Sequence, residues 1–388
     1  MRPTGTGDGG MRLDEAYAVD DLDPDAWDAL ALTRTFYASH RWLRYQELDP
    51  RLRARYLVVR DDADRIVGGV PTYLVDRELS GNYRIPELFP DVPCPSGPTL
   101  LVGNHRGYHN RPVVSDVLTA EQRAQALRLL ASAVSRLADA GSGGRAWWLY
   151  VDDRDVRELL DVGGTATPRV LHADCTVALP GRGFDDYLAT LPSARRVNIR
   201  RDLRAFSESG LRLRTMRLSE CWAEAGRLSA CNMRRYGHRV GDELMAELLR
   251  GQCEATDDSG TVHACLADDV MVGFCLTFTF GGVVYVRTLG FDYDRLRDAR
   301  EYFQLAYYAP IRDAYRSGAD TLHLGMKSYH AKVLRGARAT PLWAVAVHPG
   351  AWSEQTARAH NRRRLAEIRS ELGPHAGALD TGTWQSFA

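Results

Sequence analysis

Two stretches of the chain carry the same pattern, Arg55-Tyr-Leu-Val-Val-Arg-Asp-Asp-Ala-Asp-Arg-Ile-Val-Gly-Gly-Val-Pro-Thr-Tyr73 and Thr261-Val-His-Ala-Cys-Leu-Ala-Asp-Asp-Val-Met-Val-Gly-Phe-Cys-Leu-Thr-Phe278. In each, two runs of alternating residues, many of them β-branched, flank a short acidic segment, which is typical of a β-hairpin. Ile66-Val67-Gly68 and Met271-Val272-Gly273 occupy equivalent places after the two turns. We therefore expect a hairpin at each place, and the similarity indicates that one structural unit occurs twice.

The segments around the two hairpins repeat as well. Helical patterns precede the hairpins at 24–47 and 218–253, helical patterns follow them at 119–140 and 300–316, and strands come next at 146–151 and 320–324. The shared order of helix, hairpin, helix and strand predicts a duplicated domain of the α/β (α+β) class. We expect domains over residues 11–180 and 181–350, followed by a helical tail over 351–388.

Composition indicates an ordinary globular protein. Lysine plus arginine and aspartate plus glutamate each number 50, so the global charge indicates neither a nucleic-acid nor a membrane partner. The seven cysteines are scattered without a CxxC pair, which favours a reducing compartment over a disulfide framework. The polar segment from Met1 to Gly10 lacks the apolar core of a signal peptide, and no apolar run is long enough to span a bilayer. We therefore expect a cytoplasmic protein with no membrane span.

Lysine is rare in this chain. Of the 50 lysine and arginine residues, only two, Lys327 and Lys332, are lysines. An ammonium is a compact charge whose pKa shifts readily on burial, whereas a guanidinium is broad, planar and always charged. Lysine is expected to persist where a small cation must lie beside a reacting atom, and chance retention is the alternative.

Three segments in the second predicted domain combine strand ends with polar side chains, at 283–294, 302–314 and 322–336. In open α/β sheets, ligands collect where strand ends meet helix starts, so these segments are expected to form one site. The side chains expected to converge there are Tyr285, Arg287, Tyr307, Tyr308, Lys332 and Arg335. The alternatives are that the two adjacent tyrosines are core residues and that the arginine before Gly336 caps a turn.

Several motifs follow one another along the chain in a fixed order. They are Trp27-Asp-Ala-Leu, Ser39-His40-x-x-Leu43, Pro71-x-Tyr73, the arginine-rich segment 193–204, Tyr285-x-Arg-x-x-Gly290, Tyr307-Tyr-x-x-Ile311 and Lys332-x-x-Arg-Gly336. In this order and spacing they resemble the FemAB-like branch of the GNAT (N-acetyltransferase-like) superfamily, over about residues 11 to 348. The resemblance implies tandem duplicated GNAT-like domains, each a mixed, largely antiparallel sheet flanked by helices. It also implies an amide-forming acyltransferase of the peptidoglycan-bridge, aminoacyltransferase-like type.

One loop departs from the family pattern. Family members usually carry Gly-Ala-Gln-Gly-Glu-His-Lys before the Arg-Gly pair, whereas this chain has the one-residue-longer Gly325-Met-Lys-Ser-Tyr-His-Ala-Lys332. Lys332 keeps the family spacing to Arg335, and Lys327 is additional. We therefore expect substrate contacts made by this loop to differ from those of the family.

A missing motif bears on the acyl donor. Acyl-CoA-dependent members of the superfamily usually carry a glycine-rich loop whose N–H groups bind the pyrophosphate. The matching segment, 291–301, has no glycine and carries Asp292, Asp294 and Asp298. Together with the resemblance, this favours aminoacyl-tRNA as the donor. Acyl-CoA bound through the arginines at 295–300 is the alternative.

An arginine-rich segment fits the same donor. Arg196, Arg200 and Arg204 are spaced to share one helical face. The expected tRNA or phosphate contacts are Arg195, Arg196, Arg200, Arg201 and Arg204. The alternative is a solvated helix face without a ligand.

The expected reaction is attack of an acceptor amine on the ester of aminoacyl-tRNA, which serves as a co-substrate, so no cofactor is expected. Lys332 is expected to stabilise the oxyanion or the leaving oxygen, and Tyr285 and Tyr308 are expected to relay protons. The expected substrate contacts are Arg287, Arg335, Tyr307, His40, Tyr73 and Lys327. The acceptor stays open among a cell-wall precursor, a small natural-product amine and a peptide end, and the loop 83–110 is expected to shape its pocket.

Other chemistries find little support in the sequence. His105, His109 and His172 have no carboxylate or cysteine at metal-ligand spacing, so we expect no metal ion. The chain has neither a Gly-x-Ser-x-Gly elbow nor a P-loop, which argues against a serine hydrolase and against ATP-dependent activation. A non-catalytic binding protein with the same fold is the remaining alternative.

Overall fold

A computed structural model describes residues 2–6, 10–32, 35–93, 97–162, 167–348 and 350–388. The chain forms two compact units. The first unit comprises Met1–Asp174 and Thr340–Ala388, and the second unit comprises Cys175–Ala339. The predicted division assigned residues 340–350 to the second domain and 351–388 to a tail, whereas the structure groups both segments with the first unit.

The two units contain both strands and helices. The strands are β1 (Arg2–Thr6), β2 (Arg12–Ala16), β3 (Leu52–Arg60), β4 (Ile66–Val75), β5 (Thr99–Val102), β6 (Val113–Val114), β7 (Ala146–Asp152), β8 (Arg169–Ala178), β9 (Arg212–Met216), β10 (Gly260–Ala267), β11 (Val270–Phe280), β12 (Val283–Phe291), β13 (Thr321–Met326) and β14 (Arg338–Ala346). The helices are α1 (Pro24–Ala31), α2 (His40–Glu47), α3 (Ile85–Leu88), α4 (Ala120–Ser142), α5 (Val156–Val162), α6 (Phe184–Ala189), α7 (Ser193–Glu208), α8 (Trp222–Arg235), α9 (Asp242–Thr256), α10 (Glu301–Phe303), α11 (Ala309–Ser317), α12 (Tyr329–Val333), α13 (Glu354–Leu372) and α14 (Gly382–Phe387).

Both predicted hairpins are present. Strands β3 and β4 pair antiparallel, and the Asp61 carboxylate closes their turn by accepting the N–H groups of Ala63 and Arg65. Strands β10 and β11 are joined by Asp268 and Asp269, both with positive φ. A two-residue turn with positive φ at both positions matches the right-handed twist of the flanking strands. The acidic turn residues therefore fix the register of each hairpin.

The two units repeat one topology. In the first unit, β2 pairs with β3, β4 with β5, and β5 runs parallel to β7 after the crossover helix α4. In the second unit, β9 pairs with β10, β11 with β12, and β12 runs parallel to β13 after the α10–α11 crossover. Each unit thus has a mixed, largely antiparallel sheet flanked by helices, which confirms the predicted fold class.

The C-terminal segment packs within the first unit. Strand β14 pairs antiparallel with β7, and the Trp352 ring lies 5.1 Å from that of Phe89 and 5.2 Å from that of Trp147. On α13, the His360 ring nitrogen Nε2 lies 2.8 Å from the carbonyl oxygen of Val170. Buried aromatic contacts and a backbone hydrogen bond therefore hold the helix that the sequence predicted as a tail.

The parallel strands of the second unit share a short ladder. Val283, Val284 and Tyr285 of β12 pair with residues 321–323 of β13, whereas β12 continues to Phe291. The register with β11 shifts between Val286 and Thr288, so Arg287 occupies a β-bulge. Bulges bend a strand and redirect its side chains, and they are frequent beside active sites. The second half of β12 is thus built differently from a regular sheet strand.

The glycine of the Tyr-x-Arg-x-x-Gly motif has a packing role. A Cβ atom on Gly290 would lie 2.5 Å from the carbonyl carbon of Leu228 and 2.6 Å from the backbone nitrogen of Ser229. Both atoms belong to α8, which therefore crosses β12 at backbone distance. Any larger residue would push this helix away from the sheet.

In the part of the chain that the structure describes, we find no helix with the length and apolar character needed to cross a membrane.

Candidate active site

A π turn interrupts the helix that follows β12. Helix α10 continues into a π-helix at Gln304–Tyr308 and then into α11, and Ala309 N–H donates to the carbonyl of Gln304. Pro310 lies just beyond and has no N–H to donate, so it cannot extend a regular α-helical ladder. Single π turns are rare and are found frequently at functional sites. This turn carries the adjacent residues Tyr307 and Tyr308, both buried.

Arg335 is a buried cation of this region. The residue is only 6% exposed, and its guanidinium carbon lies 3.5 Å from the ring centroid of Phe303 and 5.0 Å from that of Tyr307. One terminal nitrogen donates to the Ala331 carbonyl at 3.1 Å, and the other lies 3.3 Å from an Asp202 oxygen. Its Nε finds no acceptor among the described residues. The group is therefore held in place and keeps one N–H available for a ligand.

Asp202 connects this cation to the π turn. The Tyr308 hydroxyl donates to Asp202 at 2.7 Å, and Arg300 Nε lies 3.8 Å from its other oxygen. Burial is the main cause that raises the pKa of Tyr308, and the bond to Asp202 raises it further, against the opposing charge of Arg335. The phenol therefore stays protonated at neutral pH and can pass a proton only in concert with a neighbour.

Lys332 makes contacts that the sequence did not predict. Its Nζ donates to the carbonyls of Leu324 at 2.8 Å, Gly325 at 2.6 Å and Met326 at 2.8 Å. An ammonium has three protons, and these three acceptors come from consecutive residues at the end of β13. The side chain is buried and joins α12 to the strand that precedes it. Lys332 thus anchors the end of β13 to α12, and its role at the oxyanion or leaving oxygen stays a prediction.

Two residues with left-handed backbone conformation follow β13, in the loop that departs from the family pattern. Lys327 and Ser328 have φ of 62° and 51°, which are sparsely populated values for residues other than glycine. They reverse the chain between Met326 and α12, and Lys327 itself is exposed. The additional residue relative to the family pattern thus lies in a tight turn, and the role of Lys327 as a substrate contact stays a prediction.

The other predicted residues of the second unit lie on β12. Tyr285 is buried, with its ring 5.1 Å from that of His323, and Arg287 is half-buried at the bulge. Of the six residues expected to converge, Tyr307, Tyr308 and Arg335 share one cluster, and Lys332 lies three residues before Arg335 on the adjoining helix. The proton-relay role of Tyr285 and the substrate role of Arg287 stay predictions.

Sequence reasoning missed two members of the cluster, Asp202 and Phe303. Asp202 lies within the arginine-rich segment 193–204, where the sequence alone does not single it out. Phe303 lies one residue before the π turn and offers its ring face to Arg335.

The arginine-rich segment forms α7, as predicted. Arg200, Arg201 and Arg204 are exposed and form no ion pair with any carboxylate of the described residues, whereas Arg195 and Arg196 are half-buried. Arg196 donates to the carbonyl of Leu191 at 2.6 Å and so contributes to the helix start. We call the three exposed residues Arg200, Arg201 and Arg204 the arginine strip.

The predicted residues His40 and Tyr73 belong to the first unit. His40 Nε2 lies 2.9 Å from the carbonyl oxygen of Val19, and Tyr73 is fully buried. A cavity of about 440 Å³ in this unit is lined by Glu78, Tyr83, Arg84, Ile85, Thr99 and Leu101, among others, but by neither His40 nor Tyr73. Much of its lining comes from the loop 83–110, so the loop does border a pocket, and the acceptor role of that pocket stays a prediction.

Folding brings carboxylates to two histidines that lacked them in sequence. His105 Nε2 lies 2.7 Å from Glu78, 27 residues away in the chain, and His109 Nε2 lies 2.9 Å from Asp174. Burial lowers the pKa of His105. Burial also disfavours charge on His109, but its contact with Asp174 outweighs this and raises its pKa. The third histidine considered in the sequence, His172, has its Nδ1 3.4 Å from a guanidinium nitrogen of Arg364. The absence of a metal stays a prediction.

Comparison with known proteins identifies the family. A model of the FemAB-like family, described as peptidoglycan biosynthesis/recognition, matches residues 18–372. The chain belongs to the FemAB-like family. No curated protein matches the sequence closely enough to be significant. Membership of the FemAB-like family makes this chain an amide-forming acyltransferase by class. The family match thus confirms both the predicted family and the predicted enzyme class.

Solved structures agree on the fold. FemX superposes with a TM-score of 0.58 at 12% identity, over 84% of this chain and 94% of that one. The C-terminal domain (DUF2156) of a putative lysylphosphatidylglycerol synthetase from Agrobacterium fabrum gives 0.52 at 11% identity, over 91% and 97%. L-PGS from Bacillus licheniformis gives 0.50 at 10% identity, over 84% and 91%. At these identities the FemAB-like chain shares their fold, and its donor and acceptor must be argued from its own residues.

Proposed function

We propose that this FemAB-like protein transfers an aminoacyl group from aminoacyl-tRNA to an amine, forming an amide bond. The observation that carries the proposal is the place of α7. This helix presents the exposed arginine strip on its surface and, within the same turn, contributes Asp202 to the buried cluster of Tyr308 and Arg335. A surface suited to a phosphate backbone thus lies beside groups suited to acyl transfer.

The reaction needs no group beyond the two substrates. The neutral nitrogen of the acceptor amine attacks the ester carbonyl, the C–N bond forms, and the C–O bond to the terminal ribose breaks. The proton lost by the nitrogen ends on the ribose oxygen. The Tyr308 hydroxyl can accept that proton as it passes its own to Asp202, and can then give a proton to the leaving oxygen as Asp202 returns the one it holds.

Arg335 is suited to stabilise the negative charge that develops on the carbonyl oxygen. It is fixed between Phe303 and Asp202, and its Nε–H has no acceptor among the described residues. Preorganised donors in a dry site stabilise such an oxyanion without any reorganisation during the reaction. The proposal therefore moves the oxyanion role from Lys332 to Arg335 and makes Lys332 the residue that holds the loop.

The segment that would bind acyl-CoA has its own internal partners. The Glu301 carboxylate is buried and accepts the backbone N–H of Arg297 at 2.6 Å. The Arg297 guanidinium donates to Ser209 and to Asp268, and Arg300 is paired with Asp202. Two of the three arginines offered for CoA, Arg297 and Arg300, are thus engaged by the protein itself, which supports an RNA donor over acyl-CoA.

The acceptor is assigned only by class. The family description points to peptidoglycan biosynthesis or recognition, so a cell-wall precursor with a free amine is the first acceptor to test, and small amines are the second. Aminoacyl-tRNA is a cytoplasmic donor, so the proposal includes the cytoplasmic location expected from the sequence.

The test uses purified full-length protein with tRNA charged with radiolabelled amino acids and a nucleotide-linked muropeptide as acceptor. We expect label in an amide-linked product, and RNase treatment before the reaction should abolish it. Product that survives RNase, or product formed only from acyl-CoA, would refute the tRNA donor.

A charge variant tests the arginine strip directly. Arg200→Ala, Arg201→Ala and Arg204→Ala combined should raise the KM for charged tRNA and reduce the salt slope of binding by about 2 to 3, since each phosphate contact contributes about 0.7 to 0.9. The matched control combines Arg128→Ala, Arg362→Ala and Arg369→Ala, which are equally exposed and, among the described residues, equally without carboxylate partners. Equal effects of the two triple variants would remove the special role of the strip.

A further inference from the structure

Three tyrosines form an exposed aromatic surface in the second unit. Tyr236 is 71% exposed and Tyr302 is 37% exposed, whereas Tyr293 is half-buried. Tyr236 directly follows Arg235 at the end of α8, and the Arg235 guanidinium lies over the Tyr293 ring. We call Tyr236, Tyr293 and Tyr302 the tyrosine shelf.

Hydrogen bonds hold the shelf in place, and an arginine lies over one of its rings. Arg235 lies over the Tyr293 ring, with its guanidinium carbon 4.2 Å from the centroid, and the Tyr293 hydroxyl donates to Asn232 at 2.6 Å. Tyr236 ends α8, and the next residue, Gly237, has a positive φ that closes the helix end. Backbone hydrogen bonds to Met233 and Arg234 fix this end. The exposed ring is thus held on a defined backbone.

Continuous ring contacts connect the shelf with the buried cluster. Tyr293 and Tyr302 both pack against Phe291, with centroids 5.9 Å and 6.1 Å away. Tyr302 lies 5.3 Å from Phe303, which in turn stacks on Arg335. Arg335 also contacts Asp202, whose neighbours on α7 form the arginine strip. The shelf and the strip are therefore both connected by contacts to the Arg335 cluster.

We propose that the tyrosine shelf, with Arg235, stacks the unpaired nucleotides at the 3′ end of the donor RNA. This inference rests on the proposed function, because it assumes an RNA donor bound along the strip. An aminoacyl ester is carried by the last, unpaired nucleotide of its RNA, so the bases beside it must lie against the surface next to Arg335. Exposed aromatic rings with neighbouring arginines bind such bases through stacking, with little dependence on sequence.

The test measures binding, not turnover. A short fluorescent RNA hairpin with an unpaired 3′ tail is compared with the same hairpin made blunt, by anisotropy with the full-length protein. A stacked base is worth about fivefold to 150-fold in affinity, so we expect the tail to strengthen binding at least about tenfold. Tyr236→Ala combined with Tyr302→Ala should remove that gain and leave binding of the blunt hairpin unchanged.

Two further variants serve as controls. Tyr236→Phe combined with Tyr302→Phe keeps the ring faces and should retain the gain, whatever the effect of the alanine changes on local packing. Tyr17→Ala is the matched control, because Tyr17 is an exposed tyrosine of the first unit with Arg55 over its ring at 5.2 Å. It should leave binding of both hairpins as in the unmodified protein.

The outcomes separate the two proposals. Equal binding of the tailed and blunt hairpins, or a gain that survives the alanine variant, would overturn the shelf while leaving an RNA donor in place. Failure of both hairpins to bind would overturn the RNA donor and the shelf together. Displacement of the tailed hairpin by coenzyme A with similar affinity would assign the shelf to the adenine of that molecule and overturn the RNA assignment.

Discussion

Replacing Lys332 by methionine tests whether this lysine holds the loop or takes part in the chemistry. Methionine keeps most of the apolar stem but removes all three hydrogen bonds to the end of β13. A buried acceptor that loses its donor costs about 1 to 3 kcal/mol, and the carbonyls of Leu324 and Gly325 are the two in buried positions. Met326 is half-buried, so water can satisfy its carbonyl. The expected loss is therefore about 4 kcal/mol of unfolding free energy.

Thermal unfolding followed by circular dichroism gives the measurement. For a unit of this size, about 1 kcal/mol corresponds to about 2 to 4 °C, so Lys332→Met should lower the Tm by about 8 to 16 °C. Lys327→Met is the matched control and should change stability by less than about 0.5 kcal/mol, because Lys327 is exposed. A Lys332→Met protein with unchanged Tm and no turnover would refute the positioning role and restore a catalytic one.

Three further predictions concern packing, proton transfer and pH. Gly290→Ala should destabilise the protein by about 1 to 3 kcal/mol through overpacking, measured by urea unfolding, whereas Gly377→Ala, where a Cβ meets nothing within 4 Å, should be almost neutral. Tyr308→Phe should lower kcat by about 100-fold with a stability change near 1 kcal/mol, and an unchanged kcat would exclude the proton relay. Burial alone would raise the pKa of Asp49, but hydrogen bonds from Arg51 dominate and lower it to about 2. Its contribution to stability should therefore be complete above the unfolded pKa near 4 and be lost as pH falls from about 4 to 2, a step that acid titration of Asp49→Asn should lack.

Local pattern was enough to predict the hairpins and the duplication. Each hairpin rests on an acidic turn between alternating strands, and both turns form as expected. The position of α13 could not be predicted in the same way. Its sequence is strongly polar, and its attachment to the first unit depends on a few buried residues, such as Ile368 and Leu372, and on distant partners, such as Val170.

The active site could be predicted only where a motif carried it. Tyr307, Tyr308 and Arg335 lie within one motif series and meet in the fold. Asp202 joins them from 106 residues before Tyr308 and 133 residues before Arg335, a separation at which spacing carries no signal. The same limit applied to the histidines, whose carboxylate partners become visible only after folding. When the residues of a site are far apart in the chain, a single sequence therefore predicts only some of them.

The scarcity of lysine gains a geometric explanation from the same cluster. Three consecutive carbonyls converge on one point, and a tetrahedral ammonium can meet all three at 2.6 to 2.8 Å. A guanidinium is planar and spreads its donors over a wider fork, so arginine cannot satisfy this arrangement even in a chain that otherwise uses it at 48 positions. This geometry offers a reason for the retention of Lys332 that does not require a part in the chemistry. Lys327 is exposed in the turn that follows β13, so the two lysines must be explained separately. Because Lys332 fixes the strand end from which α12 and Arg335 follow, its effect on turnover is expected to act through the placement of that arginine.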